Sequence, residues 1–342
     1  MSIRLRNPLS MLRSIQFALD PGSAQTIITN VQGDVLLNEP TVIAMDQDTN
    51  TALATGTEAK SYIGKAPERI RVIRPIVAGV IVDFEATKEL LKIFFARVRQ
   101  GNGARLKVSV VISQGLTALE RRTFEDCCKA AGASSVLLLS APLAAAIGGG
   151  LDIRAPKGRL LLGIGDGLTE LSVLSLADIV LSETLPLGAN AFHAAISHFF
   201  AATKQMAIGE NMAEQVTINV ASAMPSDSGR TMTVTGKQST TGTPIAEEVT
   251  EAELVGALAE PLQAILELIR GLLEKTPAEL VADIADSGLC LYGGGAALQG
   301  LPAFLEAQLH FKVRVVDGPV FVSVLGAAAI LRPDLDYKNL MK

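Results

Sequence analysis

The chain has 342 residues, of which 49 % are hydrophobic and 19 % are charged. This composition is typical of a well-packed globular protein of two or three domains and excludes a disordered or fibrous chain. A net charge of −5 and a pI near 5.4 argue against a general nucleic-acid surface, which needs a basic face to displace phosphate counterions. We therefore expect no nucleic-acid partner.

Cysteine and histidine usage predicts neither a disulfide framework nor a metal site. Cys127, Cys128 and Cys290 leave an odd thiol and form no paired pattern, which favours core thiols in the reducing cytoplasm. His193 and His198 do not have the i, i+4 spacing of metal ligands on a helix.

The first residues in chain order, 1–14, carry no pattern of a secretory signal. They mix apolar residues with Arg4, Arg6 and Arg13, a composition suited to an amphipathic anchor on anionic lipid. Pro8 interrupts a helix there, so a disordered basic tail is the alternative.

Two segments of the chain share the same pattern of strand, turn and strand. Ile15–Leu19 and Thr26–Ile28 flank the turn Asp20–Ser23, and a further turn follows at Gln32–Asp34. In the second half, the strands Arg159–Leu162 and Leu171–Leu174 flank a glycine-rich turn. Alternating helices and strands follow each meander, which predicts a duplicated α/β protein with mixed sheets.

Two helix starts are marked by capping boxes, at Thr117 with Glu120 and at Thr250 with Glu253. After Thr250 a single long helix is predicted to pack on a sheet through one apolar face, formed by Leu254, Leu258, Leu262, Ile265 and Leu268.

The uncharged segment Ala130–Leu151 is long enough to raise the question of a membrane span. Pro142 and the three glycines that follow Ile147 divide it, so we predict a buried strand, Val136–Leu139, and a short alanine-rich helix. The polar stretch Ser226–Thr243 is predicted as a surface loop or hairpin.

Three glycine-rich turns stand at the ends of apolar strands: Asp20–Thr26, Gly163–Glu170 and Tyr292–Ala297. Glycine lets backbone N–H groups approach phosphate oxygens closely. One such turn is weak support, but three in this arrangement predict a shared nucleotide cleft.

At these turns the chain resembles the MreB family of bacterial actins, over residues 15–330 or so. Six further segments carry the resemblance: Leu37–Val42, Ile73–Pro75, Gly79–Phe84, Glu120–Arg122, Ala144–Gly148 and Lys275–Leu280. The resemblance implies an actin-like (ribonuclease H-like) fold, in which two lobes close over ATP or ADP with magnesium. It also implies head-to-tail filaments that organise cell shape or intracellular positioning.

The resemblance also implies lobe boundaries and site residues. The first lobe comprises 15–150 and about 320–342 with an insertion at about 40–79, and the second comprises 151–319 with an insertion at about 190–248. The implied nucleotide-binding residues are Asp20, Gly22, Ser23, Ala24, Gln25, Gly165, Asp166, Gly167, Leu168, Thr169, Glu210, Glu214, Thr217, Gly293, Gly294, Gly295 and Ala296. Asp20 is also the implied metal ligand.

Several positions depart from the family pattern. Gly163 stands where the family has the aspartate that holds the metal-bound water, and Leu168 replaces a threonine. Ala141 stands where the glutamate that orients the attacking water belongs. Asp166 replaces a glycine and brings a negative charge toward the phosphates. We therefore predict no catalytic residues and weak or absent ATP hydrolysis.

On the adenosine side, Glu210 and Glu214 match the family's helix, while Thr217 replaces its usual lysine.

The implied partners are further copies of the chain, a genuine MreB, membrane-linked cell-shape proteins and the inner face of the membrane. The segment Gln100–Leu106, which would carry an apolar membrane loop, has one large apolar residue. A non-polymerising regulator of MreB is the alternative; a sugar kinase or chaperone ATPase shares the loops, but no substrate motif supports it.

Overall fold

The computed structural model describes residues 14–99, 105–226 and 228–332. The segment predicted as a tail or anchor falls on residues 1–13, and most of the segment considered as a membrane loop on 100–104, so both lie outside the described residues.

The described residues form strands and helices that alternate along the chain. The strands are β1 (Ser14–Pro21), β2 (Gln25–Asn30), β3 (Val35–Pro40), β4 (Ile43–Asp46), β5 (Ala52–Thr55), β6 (Ile70–Ile73), β7 (Ile76–Val77), β8 (Val80–Ile81), β9 (Arg105–Ile112), β10 (Ser135–Ser140), β11 (Arg159–Ile164), β12 (Thr169–Ser175), β13 (Asp178–Leu185), β14 (Met206–Ala207), β15 (Thr231–Gln238), β16 (Pro244–Thr250), β17 (Leu289–Tyr292) and β18 (Val313–Val315). The α-helices are α1 (Thr57–Ser61), α2 (Phe84–Val98), α3 (Ala118–Ala130), α4 (Ala141–Gly148), α5 (Ala189–Thr203), α6 (Glu210–Asn219), α7 (Glu251–Leu254), α8 (Ala259–Lys275), α9 (Ala278–Ser287), α10 (Leu301–Leu309) and α11 (Val322–Ile330).

Two five-stranded mixed sheets share one topology. The first sheet has the strand order β3-β2-β1-β9-β10, and the second has the order β13-β12-β11-β17-β18. Strands at the same place in the two orders correspond to each other. In each, the central strand pairs antiparallel with the strand that follows it and parallel with a strand that arrives later in the chain. The predicted duplication of an α/β unit with mixed sheets is therefore confirmed.

The duplication extends to the register of the central hairpins. Pro21 pairs with Thr26 across β1 and β2, and Ile164 pairs with Thr169 across β11 and β12. Both hairpins therefore turn at the same point of the repeat, and both turns face the space between the lobes. The strand β1 runs to Pro21, so the first predicted turn is shorter than expected.

Helices α4 and α11 pack against each other between the two sheets. A Cβ on Gly326 would lie 1.9 Å from the Ala144 carbonyl oxygen, and a Cβ on Gly148 1.9 Å from the Val322 carbonyl oxygen. The crossing therefore requires glycine on both helices. Their small side chains form a buried cluster with Ala18 of the first lobe and residues of the second.

Smaller sheets extend each lobe. The order β5-β4-β6, with α1, lies within the predicted insertion 40–79, and β14-β15-β16 lies on the second lobe. Strand β15 lies in the stretch Ser226–Thr243 and pairs antiparallel with β16, so a hairpin does form here, but its second strand begins at Pro244, just beyond the predicted stretch.

Both predicted capping boxes are present, at Thr117 with Glu120 and at Thr250 with Glu253. The single long helix predicted after Thr250 is wrong, because α7 is followed by a 3₁₀ turn at 255–258 before α8 begins. Pro261 lies in the first turn of α8, where its missing N–H is tolerated, whereas inside a continuous helix its ring would meet a carbonyl oxygen. The predicted apolar face is nevertheless packed in one core, with Leu268 only partly buried.

The uncharged segment folds as predicted into the strand β10 and the short helix α4, with Pro142 in the first helical turn. Across the described ranges, no helix combines the length and the apolar character that a membrane crossing requires.

Candidate functional site

A cavity of about 370 Å³ lies between the two lobes, and all three glycine-rich turns border it. Two of them connect β1 to β2 and β11 to β12, and the third follows β17. The predicted residues that line the cavity are Asp20, Gly22, Ser23, Ala24, Gln25, Gly165, Asp166, Gly167, Leu168, Glu214, Thr217, Gly293, Gly294 and Gly295. The turns predicted to share a cleft therefore do meet.

Three predicted residues are not among those that line the cavity. The Thr169 hydroxyl is buried and donates to the Leu187 carbonyl oxygen at 2.7 Å. Glu210 forms an ion pair with Arg74 of the first lobe. Ala296 is buried in a 3₁₀ turn, while its neighbours border the cavity.

The first turn is held by side chains from the segment after β3. The Thr41 hydroxyl donates to the Gly22 carbonyl oxygen at 2.7 Å and lies 2.9 Å from the Thr26 hydroxyl. The Gly79 N–H donates to Ser23 Oγ at 3.2 Å. Ser23 accepts in that contact, so its own proton stays available for a ligand.

The second turn is closed by its own backbone and by helix α5. The Gly165 N–H donates to the Leu168 carbonyl oxygen at 2.8 Å, and the Asp166 carbonyl oxygen accepts from the Asn190 N–H at 2.9 Å. The Leu168 side chain packs toward Gly79, where a Cβ would lie 3.3 Å from Leu168 Cδ2. Leu168 therefore makes an apolar contact with the segment that contains Gly79.

Carboxyl groups around the glycine-rich turns, at the end of the cavity predicted to hold phosphates and called the phosphate end below, are biased toward their neutral form. Burial raises the pKa of Asp20 to about 7 and also raises the pKa of Asp166. Burial raises the pKa of Glu170 to about 7, although its hydrogen bonds oppose the shift. A neutral carboxyl repels an anionic phosphate less than an ionised one does.

Glu170, which sequence reasoning passed over, joins the two lobes. Its Oε1 accepts from the Gln114 N–H at 2.6 Å and from Ser113 Oγ at 3.2 Å, both after β9 of the first lobe. A glutamate inside an apolar strand pattern was the available sequence signal, because a buried carboxyl needs partners.

Tyr292, also passed over, fills the space beside Gly163. The two residues are register partners on β11 and β17, and a Cβ on Gly163 would lie 2.3 Å from Tyr292 Cζ. Tyr292 is 5 % exposed, and its hydroxyl has no hydrogen-bond partner among the described residues. The phenol therefore occupies the volume into which an aspartate at 163 would extend.

A magnesium ion fits this end of the cavity poorly. Mg²⁺ is usually held by carboxylates together with the phosphates of the substrate. Asp20 borders the cavity, but glycine stands at 163 and Tyr292 takes the space of a second carboxylate. Within the described residues, no group of three or more His, Cys, Asp or Glu side chains could hold a metal ion.

The other end of the cavity is formed by helices α5 and α6. The Thr217 hydroxyl donates to the Ala213 carbonyl oxygen at 2.8 Å and lies 2.9 Å from His193 Nδ1. With the Thr217 proton used, Nδ1 carries the ring hydrogen and Nε2 is left as an acceptor. Burial lowers the pKa of His193, so the ring is neutral near pH 7.

Two ion pairs join the lobes at this end. Lys60 Nζ lies 2.6 Å from Glu214 Oε2, and Arg74 pairs with Glu210. Both acidic residues predicted for the nucleoside side therefore already have cationic partners from the first lobe.

Two duplicated α/β lobes that close over a cavity bordered by three glycine turns define the class of actin-like proteins. Comparisons with known proteins identify the family. Residues 14–338 match the family described as MreB/Mbl protein. The chain belongs to the MreB/Mbl family.

Relatives match along nearly the whole chain. It is 34 % identical to the cell shape-determining protein MreB of Escherichia coli over 324 residues, covering 93 % of each chain. It is 32 % identical to the cell shape-determining protein Mbl of Bacillus cereus, covering 92 % of this chain and 94 % of the relative.

Solved structures confirm the actin-like fold. MreB5 of Spiroplasma citri bound to AMPPNP matches with a TM-score of 0.86 and 30 % identity, covering 92 % of this chain and 94 % of that one. Its ADP-bound form matches with a TM-score of 0.88. A MamK double helical filament matches with a TM-score of 0.77 at 17 % identity and covers 93 % of this chain and 98 % of that one, which bears on the fold alone.

Proposed function

We propose that this actin-like protein binds ATP or ADP in the cavity between its lobes and assembles head to tail into filaments. Those filaments serve cell-shape determination or intracellular positioning in the cytoplasm. The observation that carries the proposal is the meeting of three glycine-rich turns around one cavity, in a chain of the MreB/Mbl family. The AMPPNP and ADP complexes of MreB5 support an adenine nucleotide as the ligand.

The phosphate end supports binding through the backbone and Ser23. Glycines of all three turns line the cavity and bring the backbone close to it, and the proton of Ser23 is not used in its contact with Gly79. At the nucleoside end, Thr217 and the neutral His193 line the cavity, and the acceptor Nε2 suits a ribose hydroxyl or an amino group.

The same cavity has no polar side chain at three positions that the resemblance assigns to hydrolysis. Ala141, Gly163 and Leu168 all line it, at the positions where the family carries a glutamate, an aspartate and a threonine. None of these side chains can orient water or hold a charge. Since phosphoryl transfer depends on positioning and charge stabilisation, we propose turnover several powers of ten below that of an intact MreB.

An ATPase assay tests this proposal directly. Wild-type protein is compared with an intact MreB and with the triple variant Ala141→Glu, Gly163→Asp, Tyr292→Ala. The third change is necessary because Tyr292 fills the space that an aspartate at 163 needs. Increased turnover in the triple variant supports the proposal, whereas wild-type turnover equal to that of the intact protein refutes it.

Filament formation follows from a heterologous interface, in which one surface binds a different surface of the next copy and the assembly need not close. Electron microscopy of the purified protein, with ATP, with ADP and without nucleotide, tests whether filaments form. Dispersed particles under all conditions, together with co-sedimentation with a genuine MreB, would instead favour the second candidate, a non-polymerising regulator. The replaced positions Ala141, Gly163 and Leu168 favour that candidate.

Cytoplasmic location is part of the proposal. Cys127, Cys128 and Cys290 are free and buried, which suits a reducing compartment. Contact between residues 1–13 and the inner membrane surface is a further proposal, supported by the mixture of apolar and basic residues there. Sedimentation with anionic vesicles, with and without those residues, tests it.

A further inference from the structure

Gly163 and Tyr292 form a matched steric pair at the phosphate end of the cavity. They are register partners on parallel strands, and a Cβ on Gly163 would lie 2.3 Å from Tyr292 Cζ and 2.6 Å from its hydroxyl oxygen. Real Cβ atoms do not approach other atoms so closely. A side chain at 163 and the phenol of Tyr292 therefore cannot occupy this space together.

The phenol brings no charge to the site. Burial and the nearby carboxylates of Glu170 and Asp20 raise the pKa of Tyr292 well above its ordinary value, so the hydroxyl stays protonated. Its oxygen is buried without a hydrogen-bond partner in the described part of the chain. A buried hydroxyl without a partner costs free energy, so the arrangement is explained by occupancy of space rather than by internal hydrogen bonding.

We propose that Tyr292 fills the space in which a second carboxylate, in addition to that of Asp20, would hold a divalent cation. The cavity then takes its nucleotide di- or triphosphate without such a cation. The inference rests on the proposed nucleotide binding and names the form in which the nucleotide binds. Tyr292 is then the residue that determines this specificity.

The charged residues that line the cavity are Asp20, Asp166, Glu170 and Glu214, and burial raises the pKa of the first three. Glycine at 163 removes one negative charge relative to the family pattern. Burial biases the Asp166 and Glu170 carboxyls toward their neutral forms, so less repulsion has to be neutralised by an ion. Glycine N–H groups supply the donors that phosphate oxygens need.

The test measures affinity for ADP and ATP by titration calorimetry in millimolar Mg²⁺ and in excess EDTA. Wild-type affinity is expected not to fall on chelation, because no coordinated ion is lost. Tyr292→Phe keeps the ring in place and should also bind independently of Mg²⁺. The double variant Gly163→Asp, Tyr292→Ala opens the space and supplies a carboxylate, so chelation should lower its affinity by about tenfold or more.

The outcomes separate this inference from the function on which it rests. If the wild type binds in Mg²⁺ and loses its affinity in EDTA, the inference is overturned while nucleotide binding stands. If the wild type binds in neither condition, the proposed function itself fails. Tyr62→Phe is the matched control, because Tyr62 donates to Glu58 on the first insertion and does not line the cavity. The wild-type arm decides the question even if the double variant folds poorly.

Discussion

The turns between β1 and β2 and between β11 and β12 are the same structure twice, with different chemistry. Both hairpins close at equivalent register pairs, and both turns line the cavity. The first turn begins at Asp20 and offers the Ser23 hydroxyl. The second turn begins at the equivalent residue Gly163, and Tyr292 fills the space that a side chain at 163 would occupy.

The difference shows that the shape of a glycine-rich turn and the polar side chains it carries are separate properties of the sequence. Backbone hydrogen bonds keep the second turn closed, although Gly163 and Leu168 offer no polar side chain to the cavity. Under the proposed function, such a turn keeps the capacity to bind a nucleotide without the groups that act on it. Four predictions test how far the two turns differ.

Gly163→Asp alone should produce the largest loss of stability. The new side chain would overlap Tyr292, and overpacking at a buried site should cost about 3 kcal/mol of unfolding free energy. Urea unfolding measures the effect. The double variant with Tyr292→Ala should lose less than the sum of the two single variants, since each change removes the conflict created by the other. Strict additivity would show that the two side chains do not compete for space.

Glu170→Gln should change how stability depends on pH. The equivalent position in the first hairpin is the buried Ile27, which does not titrate. Since burial raises the pKa of Glu170 from 4.5 to about 7, its contribution is fully present below pH 4.5 and is lost as pH rises through 7. Glutamine should remove this decline, which amounts to about 2–3 kcal/mol.

The measurement is the urea midpoint of both proteins between pH 5 and pH 8, a window in which Glu170 titrates. Glu251 is the control of opposite sign, because hydrogen bonds from Ser226 and Ser228 lower its pKa to about 2. Its contribution is lost only as pH falls through that value, so Glu251→Gln should leave the decline in place. Parallel pH profiles for wild type and Glu170→Gln would contradict the assignment.

Thr26→Val and Thr169→Val should have similar, moderate effects if the two hairpins are structurally equivalent. Both hydroxyls are fully buried; Thr26 lies 2.9 Å from the Thr41 hydroxyl, and Thr169 donates to the Leu187 carbonyl oxygen. Thr26→Val leaves the Thr41 hydroxyl with its bond to the Gly22 carbonyl oxygen alone, and Thr169→Val removes the side-chain donor to the Leu187 carbonyl oxygen, so each loss of one hydrogen bond should cost about 1 kcal/mol. Urea unfolding of the two variants side by side measures it. A large difference would show that the second turn depends on its threonine more than the first does.

Much of the fold was predictable because its signals are local. Alternating apolar residues, glycine turns and the capping boxes at Thr117 and Thr250 indicated strands, hairpins and helix starts correctly. The helix after Thr250 was predicted wrongly, because its apolar spacing continues through a 3₁₀ turn. Pro261 lies just after this turn, at the start of α8. Periodicity alone does not show where a backbone changes its hydrogen-bonding pattern.

The site was predictable where the backbone forms it and not where distant side chains meet. The glycine turns were identified from their own residues. The contacts of Tyr292 with Gly163 and of Glu170 with Ser113 join segments far apart in the chain, so no local pattern indicates them. The same holds for the partners of Glu214 and Glu210, Lys60 and Arg74, which both come from the first insertion.

Those ion pairs provide the smallest expected effect and test the opposite end of the cavity. Lys60 and Glu214 are each about one-third exposed, and Arg74 and Glu210 are more exposed, so each pair should contribute about 0.2–1 kcal/mol. Lys60→Met should therefore barely change the urea midpoint, yet it frees Glu214 beside the cavity. If Glu214 then contacts the ribose, ADP affinity should rise by about twofold to fivefold. Arg74→Met is the matched control, because Glu210 does not line the cavity and its release should leave ADP affinity unchanged. Equal changes in both variants would show that the pairs act by holding the lobes together rather than by occupying a ligand group.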